Sequence, residues 1–239
     1  MRKYIFFFLS FLIPVLVLGQ QEIINDPNVE LRTIHGSFTK IQVSNAIDLF
    51  LSQSETETVA VSAVDINFRE NIKTIVEDGI LKIYYEGSKG LFSYKKRKMR
   101  AYVSFRQLEM LTASGASDVQ VAGVIKGGSL NIILSGASDF KGAVSLSDLN
   151  MELSGASDVT IKGVTEVVNI ESSGASDVKG YELITDKCTA KASGASDIHI
   201  TVNKELNANA SGASDIQYKG EGTLKENHTS GSSSVSKKG

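Results

Sequence analysis

Apolar and polar residues alternate with a period of two in short runs along the first half of this chain. Clear examples are Phe38-Thr-Lys-Ile41-Gln-Val43, Ile47-Asp-Leu49-Phe-Leu51, Val59-Ala-Val61 and Leu81-Lys-Ile83-Tyr-Tyr85. This period, broken by polar or glycine-bearing turns such as Glu77-Asp-Gly79, predicts strand after strand rather than amphipathic helices. Asp65 to Val76 reads equally as a short helical turn or, from its Ile and Val content, as a strand.

In the second half the alternation is locked to a repeat. The five residues SGASD begin at Ser114, Ser135, Ser154, Ser173, Ser193 and Ser211, and a worn copy, SGSSS, begins at Ser230. The steps between starts are 21, 19, 19, 20, 18 and 19 residues, the regularity of a unit laid down once per turn of a stack. Aligning the copies exposes columns. Five residues before the first Ser of the copies at Ser135 to Ser211 stand Leu130, Leu149, Val168, Cys188 and Leu206. Three before stand Ile132, Met151, Ile170, Ala190 and Ala208, and one before stand Leu134, Leu153, Ser172, Ala192 and Ala210. Alternate positions on a strand share a face, so all three columns point into a core. Val119, Phe140, Val159, Val178, Ile198 and Ile216 follow the Asp of each copy and form a second inward column on a second strand.

Because the same residue returns above itself each time, strands of successive coils must pair in parallel. The expected fold is all-β, a parallel β-solenoid (β-helix) with about 19–20 residues and two short strands per coil. Crossover chirality predicts right-handed winding. At roughly 4.8 Å per turn the six intact copies make a rod on the order of 30 Å long. Asn131, Asn150, Asn169, Thr189 and Asn207 face outward by parity and suit a side-chain ladder along the rod. The core residues shrink to Ala toward the end, so a tapering rod with a frayed last coil is expected. Ser44-Asn-Ala-Ile-Asp48 fits the SGASD frame with Asn in place of Gly, both tolerant of the left-handed region, and reads as a degenerate first copy.

Gly, Ala, Ser and Asp in the repeated motif are all turn formers, and a corner accounts for all four. Two further roles are open to the stacked rows. Ser117, Ser138, Ser157, Ser176, Ser196 and Ser214 are a candidate surface row. Asp118, Asp139, Asp158, Asp177, Asp197 and Asp215 are a carboxylate row in which a calcium ion could relieve repulsion of roughly 1 kcal/mol between neighbours. Catalysis needs a few unlike groups converging once, whereas this motif repeats the same groups, and His35, His199 and His228 fall in no metal-ligand spacing. No enzyme and no obligate cofactor are expected. Cys188 falls in an inward column and reads as a small buried hydrophobe.

Arg2 and Lys3, an apolar run from Ile5 to Leu18, and Val17 and Gly19 before Gln20 have the form of a secretory signal peptide. At about 14 residues the run is short of the roughly 20 that a spanning helix needs. Export through the inner membrane is therefore expected, to the periplasm, the outer surface or the medium, with no transmembrane segment after cleavage. Cleavage leaves 23 Lys and Arg against 27 Asp and Glu, a mildly acidic balance that gives no general reason to bind nucleic acid. The one basic cluster, Lys95-Lys-Arg-Lys-Met-Arg100, reads as a solvated loop, with contact to an anionic polymer or headgroup as the alternative, near Phe92, Tyr94 and Tyr102. The chain divides into a signal peptide (1–19), a flexible lead-in (20–33) and one domain (34–239), with irregular coils over 34–106, regular coils over 107–229 and a degenerate cap over 230–239.

The signal peptide, Phe38-Thr-Lys-Ile41-Gln-Val43, the phrase Val76-Glu-Asp-Gly-Ile-Leu81-Lys-Ile83 and the S-G-A-S-D turns together resemble the putative autotransporter adhesin, head GIN domain family of Bacteroidetes and related bacteria, over about residues 30–239. The resemblance implies a secreted or envelope β-solenoid and, by the family's name, adhesion. No translocator-barrel strands follow the repeats, so release, periplasmic retention or anchoring by another protein is expected. The functional expectation is a non-enzymatic surface-binding or structural module whose partner is unknown, an envelope glycan or a surface protein being the candidates. A calcium-binding repeat scaffold and a polysaccharide-active β-helix enzyme are the alternatives.

Overall fold

The chain returns to the same register once per repeat, and this fixes the stack. Five long strands, β9 to β13 (Val119–Leu134, Phe140–Leu153, Val159–Ser172, Val178–Ala192 and Asp197–Gly212), pair in parallel. Leu130, Leu149, Val168, Cys188 and Leu206 stand opposite one another from coil to coil, as do Val119, Phe140, Val159, Val178 and Ile198. Every one of these side chains is buried. The computed structural model describes residues 26–87 and 98–239. The signal peptide and Phe92, Tyr94 and Lys95 to Arg97 lie outside the described residues.

The protein is a parallel β-solenoid of about seven turns. The two inward runs of each coil lie on one hydrogen-bonded strand of 14–16 residues. Between them inward parity breaks twice. In β10, Ala143 and Val144 are both buried, and Leu146 and Leu149 are buried three apart. A short third side carrying Val144 and Leu146 is therefore set between the two expected ones. The taper is also present: Ala190, Ala192, Ala208 and Ala210 are buried at 0–2% exposure in columns that carry Ile, Met and Leu in the earlier coils.

The last coil is not frayed. β14 (Asp215–Lys219), β15 (Thr223–Gly231) and β16 (Ser234–Lys237) continue the parallel ladders, with Ser230 opposite Ser211 and Gly231 opposite Gly212. The repeat's backbone bonds hold it, although its side chains are mostly exposed at the open end.

The first half departs from a simple succession of coils. β2 (Lys40–Val43) and β3 (Ile47–Gln53) make a coil in the SGASD frame, with Val43 opposite Ala113 and Leu49 opposite Val119. This coil is second in the stack. β6 (Ile80–Tyr85) and β7 (Met99–Phe105) lie on its outer side, and β8 (Met110–Ala113) and β9 on its inner side. The chain thus places a later coil outside an earlier one, then steps back across it. Residues 54–79 are not coils. β4 (Thr58–Ser62) runs antiparallel to β7, and β5 (Ile72–Glu77) antiparallel to β6 through the turn Asp78-Gly79, both at positive φ (52° and 73°) as a tight hairpin requires. Between β4 and β5 the ambiguous stretch is split. Ile66–Glu70 forms helix α1, capped by Asp65, whose carboxylate accepts the Asn67 N–H at 2.8 Å, and β5 follows.

From Asp26 onward the lead-in is fixed, which corrects the expectation of a flexible segment over 20–33. β1 (Glu30–Arg32) pairs antiparallel with β4, and Glu30 pairs with Arg32 (2.7 Å) and Arg69 (2.9 Å). Asp26 accepts the Tyr102 hydroxyl at 3.0 Å and faces Arg100 at 3.7 Å. Burial would raise the Asp26 pKa, but hydrogen bonds from Ser62, Asn28 and Tyr102 and the Arg100 charge hold it below the usual carboxylate value.

Candidate functional site

In each repeated corner, Gly is the residue that turns. Gly136, Gly155, Gly174, Gly194, Gly212 and Gly231 have φ between 75° and 83°, with the following residue back at negative φ. The first two corners differ. Asn45 and Ala46 (66° and 58°) and Gly115 and Ala116 (66° and 65°) have both central residues left-handed. The turn changes type between the copies at Ser114 and Ser135, from two left-handed central residues to one. The Asn45 copy stacks in frame, with Ala46 N–H donating to Gly115 O at 3.1 Å. In the later copies Ala156, Ala175 and Ala195 donate to Gly136 O, Gly155 O and Gly174 O, each at 2.8 Å.

The serine row is not a surface. Ser117, Ser138, Ser157, Ser176, Ser196 and Ser214 are all fully buried. Their hydroxyls satisfy backbone groups that the corner would otherwise strand. Ile47, Ser117, Ser138 and Ser157 N–H donate to the Oγ of Ser117, Ser138, Ser157 and Ser176 at 3.2, 3.1, 3.4 and 3.1 Å, one coil to the next. Farther on, Ser196 and Ser214 hydroxyls donate to Ser193 O and Ser211 O within their own copies, each at 2.9 Å. Outside the corner, the asparagine column forms the expected ladder where it is unbroken: Asn150 and Asn169 amides donate to Asn131 and Asn150, each at 2.8 Å. Cys188 is buried in its column, and burial pushes its thiol up to about 12, so no thiolate forms near neutrality.

The aspartates face outward, and Asp139, Asp177 and Asp197 turn back toward the backbone. Asp158, Asp197 and Asp215 N–H donate to Asp139, Asp177 and Asp197 Oδ1 at 3.1, 3.3 and 3.2 Å. Asp158 is also paired with Lys179 at 2.9 Å. Among the described residues no group of three or more His, Cys, Asp or Glu is placed to hold a metal ion. Two carboxylates at the start of the row are raised. Asp48 is raised above the usual carboxylate pKa by burial and then by the Asp118 charge; Asp118 is raised by burial and then by the Asp139 charge, against an N–H from Asp139.

A carboxylate raised in the fold binds its proton more readily folded than unfolded. Its cost to stability is full above the raised pKa and is relieved as pH falls through it. Asp118→Asn keeps an acceptor oxygen and removes the charge. It is expected to stabilise the protein at pH 7 by no more than about 1 kcal/mol after solvent screening. The gain should fade in acid, as urea melts at the two pH values will read. Asp158→Asn, which gives up the Lys179 pair, should bring no such gain.

The remaining feature of note is a slot on the side that follows the Asp corner. Spacing irregularity builds it. Relative to Lys141–Ala143, the coil before has two extra residues between Gln120 and Val124; relative to Thr160–Lys162, the coil after has one extra residue between Lys179 and Glu182. The two 19-residue coils in the middle therefore form a floor, and the 21- and 20-residue coils stand up on either side as walls. The walls are three strand spacings apart, about 14 Å between backbones. The slot has a volume of about 750 Å³. Val121, Gly123 and Val124 line one wall and Tyr181 and Glu182 the other, with Lys141, Gly142, Ala143, Thr160 and Lys162 on the floor. The Tyr181 ring is braced by His199, stacked at 4.9 Å, and by the Lys219 ammonium 4.8 Å from the ring centre. No motif in the sequence marks a residue of this slot as a site; its signal lies in the unequal steps 21, 19, 19 and 20.

The solenoid has known counterparts. A putative adhesin of Bacteroides fragilis superposes with a TM-score of 0.80 at 22% identity, covering 89% of this chain and 98% of that one. A putative adhesin of Parabacteroides distasonis superposes at 0.69 with 19% identity, over 88% and 97%. A protein of the same organism described as a putative lipid binding protein superposes at 0.65 with 20% identity, over 90% and 98%. At these identities the likeness is one of fold. No curated protein matches the chain. The family model described as "Putative auto-transporter adhesin, head GIN domain" matches residues 37–222, the whole solenoid except its two ends, and the chain belongs to that family.

Proposed function

We propose that this chain is a non-enzymatic, exported binding module of the cell envelope, a rod that presents one side to an envelope glycan or a surface protein. The observation that supports this reading is how the repeat uses its polar groups. The buried serines are engaged with backbone groups, and the Asp139, Asp177 and Asp197 carboxylates with backbone N–H groups, in successive corners, so the motif builds the rod. Recognition is left to the side on which coil length varies, and in stacked-repeat proteins such insertions gather on the binding face. Family membership agrees with adhesion. The relative described as lipid binding shares only the fold and does not decide the ligand.

The test begins with fractionation of cells producing the full chain, which should find it outside the cytoplasm. Purified residues 20–239 should then co-sediment with envelope preparations and release no reducing ends from soluble polysaccharides. A cytoplasmic location, absence of retention, or steady product formation would each overturn the proposal.

A further inference from the structure

We infer that the slot takes an anionic oligosaccharide laid along the strands, with its acid groups held by Lys141 and Lys162. This rests on the reading of the rod as a binding module and adds the site and the class of ligand. The floor is two strands wide between walls whose backbones are about 14 Å apart, which leaves room for one extended chain. Ala143 offers nothing beyond a methyl group for a sugar ring to lie against, Phe140 and Val121 crowd the side-chain position of Gly142, and Val124 and Tyr181 flank the floor with apolar surface. Gln120, Thr160 and His199 line the same space and offer hydrogen bonds to hydroxyls.

Charge selects among the sugars. Lys141 and Lys162 are exposed and form no ion pair among the described residues, and strand geometry puts them roughly 8 Å apart diagonally across the floor. Lys179, the third lysine of the slot, is already held by Asp158. The opposing carboxylates are Glu182 in the wall and Asp139 and Asp158 at the neighbouring corner, of which Asp139 accepts the Asp158 N–H. Two ammonium groups are thus left for a ligand. A fatty acid would satisfy one of them but leave its tail wet, because the slot is open along its length; a hydroxylated chain has no such cost.

The test uses two probes on purified residues 20–239: an oligogalacturonate of about six sugars, which carries carboxylates, and a heparin hexasaccharide, which also carries sulfates. Calorimetric titration should show binding of at least one probe tighter than ~1 mM, weakened by salt. The methyl ester of the oligogalacturonate, the same chain without charge, should bind at least about tenfold more weakly than the acid if the acid is the ligand. Lys141→Glu with Lys162→Glu should lower affinity for the binding probe by about tenfold or more with an unchanged thermal melt, and Lys141→Arg with Lys162→Arg should keep it. Failure of both probes, equal binding of ester and acid where the acid binds, an unaffected Glu variant, or binding only to anionic phospholipid vesicles would overturn the inference. If the Glu variant still co-sediments with envelopes, the module reading stands and the slot assignment falls; if neither protein is retained, the module reading falls first.

Discussion

Gly155→Ala is expected to destabilise the rod by about 3–5 kcal/mol, among the largest effects available to a single methyl group in this chain. Two costs combine. Gly155 sits at φ +82°, a region that costs an L-residue about 1–2 kcal/mol. The added Cβ would also fall 2.4 Å from the carbonyl oxygen of Gly136 in the coil below. That oxygen is backbone and accepts the Ala156 N–H at 2.8 Å, so it can move only by breaking the ladder. Two controls separate the costs. Gly123 has the same φ of +82° with no atom within 4 Å of the place a methyl group would take, so Gly123→Ala should show the backbone cost alone. At Gly115, φ is +66° and the nearest atom is Asn45 N at 3.4 Å, so Gly115→Ala should fall near Gly123→Ala rather than near Gly155→Ala. Urea unfolding of the three variants reads the difference. If Gly155→Ala costs no more than Gly123→Ala, coil stacking is not what requires the glycine.

The same close approach explains why part of this fold can be read from the sequence and part cannot. The columns headed by Leu130 and Val119 are visible because each inward residue recurs at a nearly fixed step and each buries the same kind of atoms. Asn45 can stand for Gly because Asn tolerates the left-handed region, here φ 66°. The placement of β6 and β7 outside β2 and β3 is not written in any repeat. It depends on which strand edges pair, and an alternating run such as Leu81-Lys-Ile83 satisfies several edges equally. The serine row was open to the same parity argument that placed the core: counting back two residues from inward Val119 reaches Ser117. A hydroxyl suggests solvent by its chemistry, and here the corner's need for a buried acceptor outweighs that preference. The slot was present in the sequence only as unequal spacing, since an extra residue in one coil has meaning only beside shorter neighbours.

Ser157→Ala is expected to destabilise the protein by about 2 kcal/mol, although it removes one oxygen from a fully buried position. The Ser157 hydroxyl donates to Ser154 O at 3.1 Å and accepts the Ser138 N–H at 3.4 Å, both inside the corner. Alanine fills nearly the same space but leaves that N–H without its Oγ acceptor, and burial leaves water no easy way in. Ser154→Ala is the comparison within the same copy. Its hydroxyl is at the exposed start of the corner and donates to Leu134 O at 3.4 Å, where water can replace it, so the cost should stay within about 0.5 kcal/mol. Amide exchange gives a second reading, because the Ser138 N–H should lose protection in Ser157→Ala and keep it in Ser154→Ala. Equal, small costs for the two variants would mean that the buried serines merely fit the corner and do not hold it.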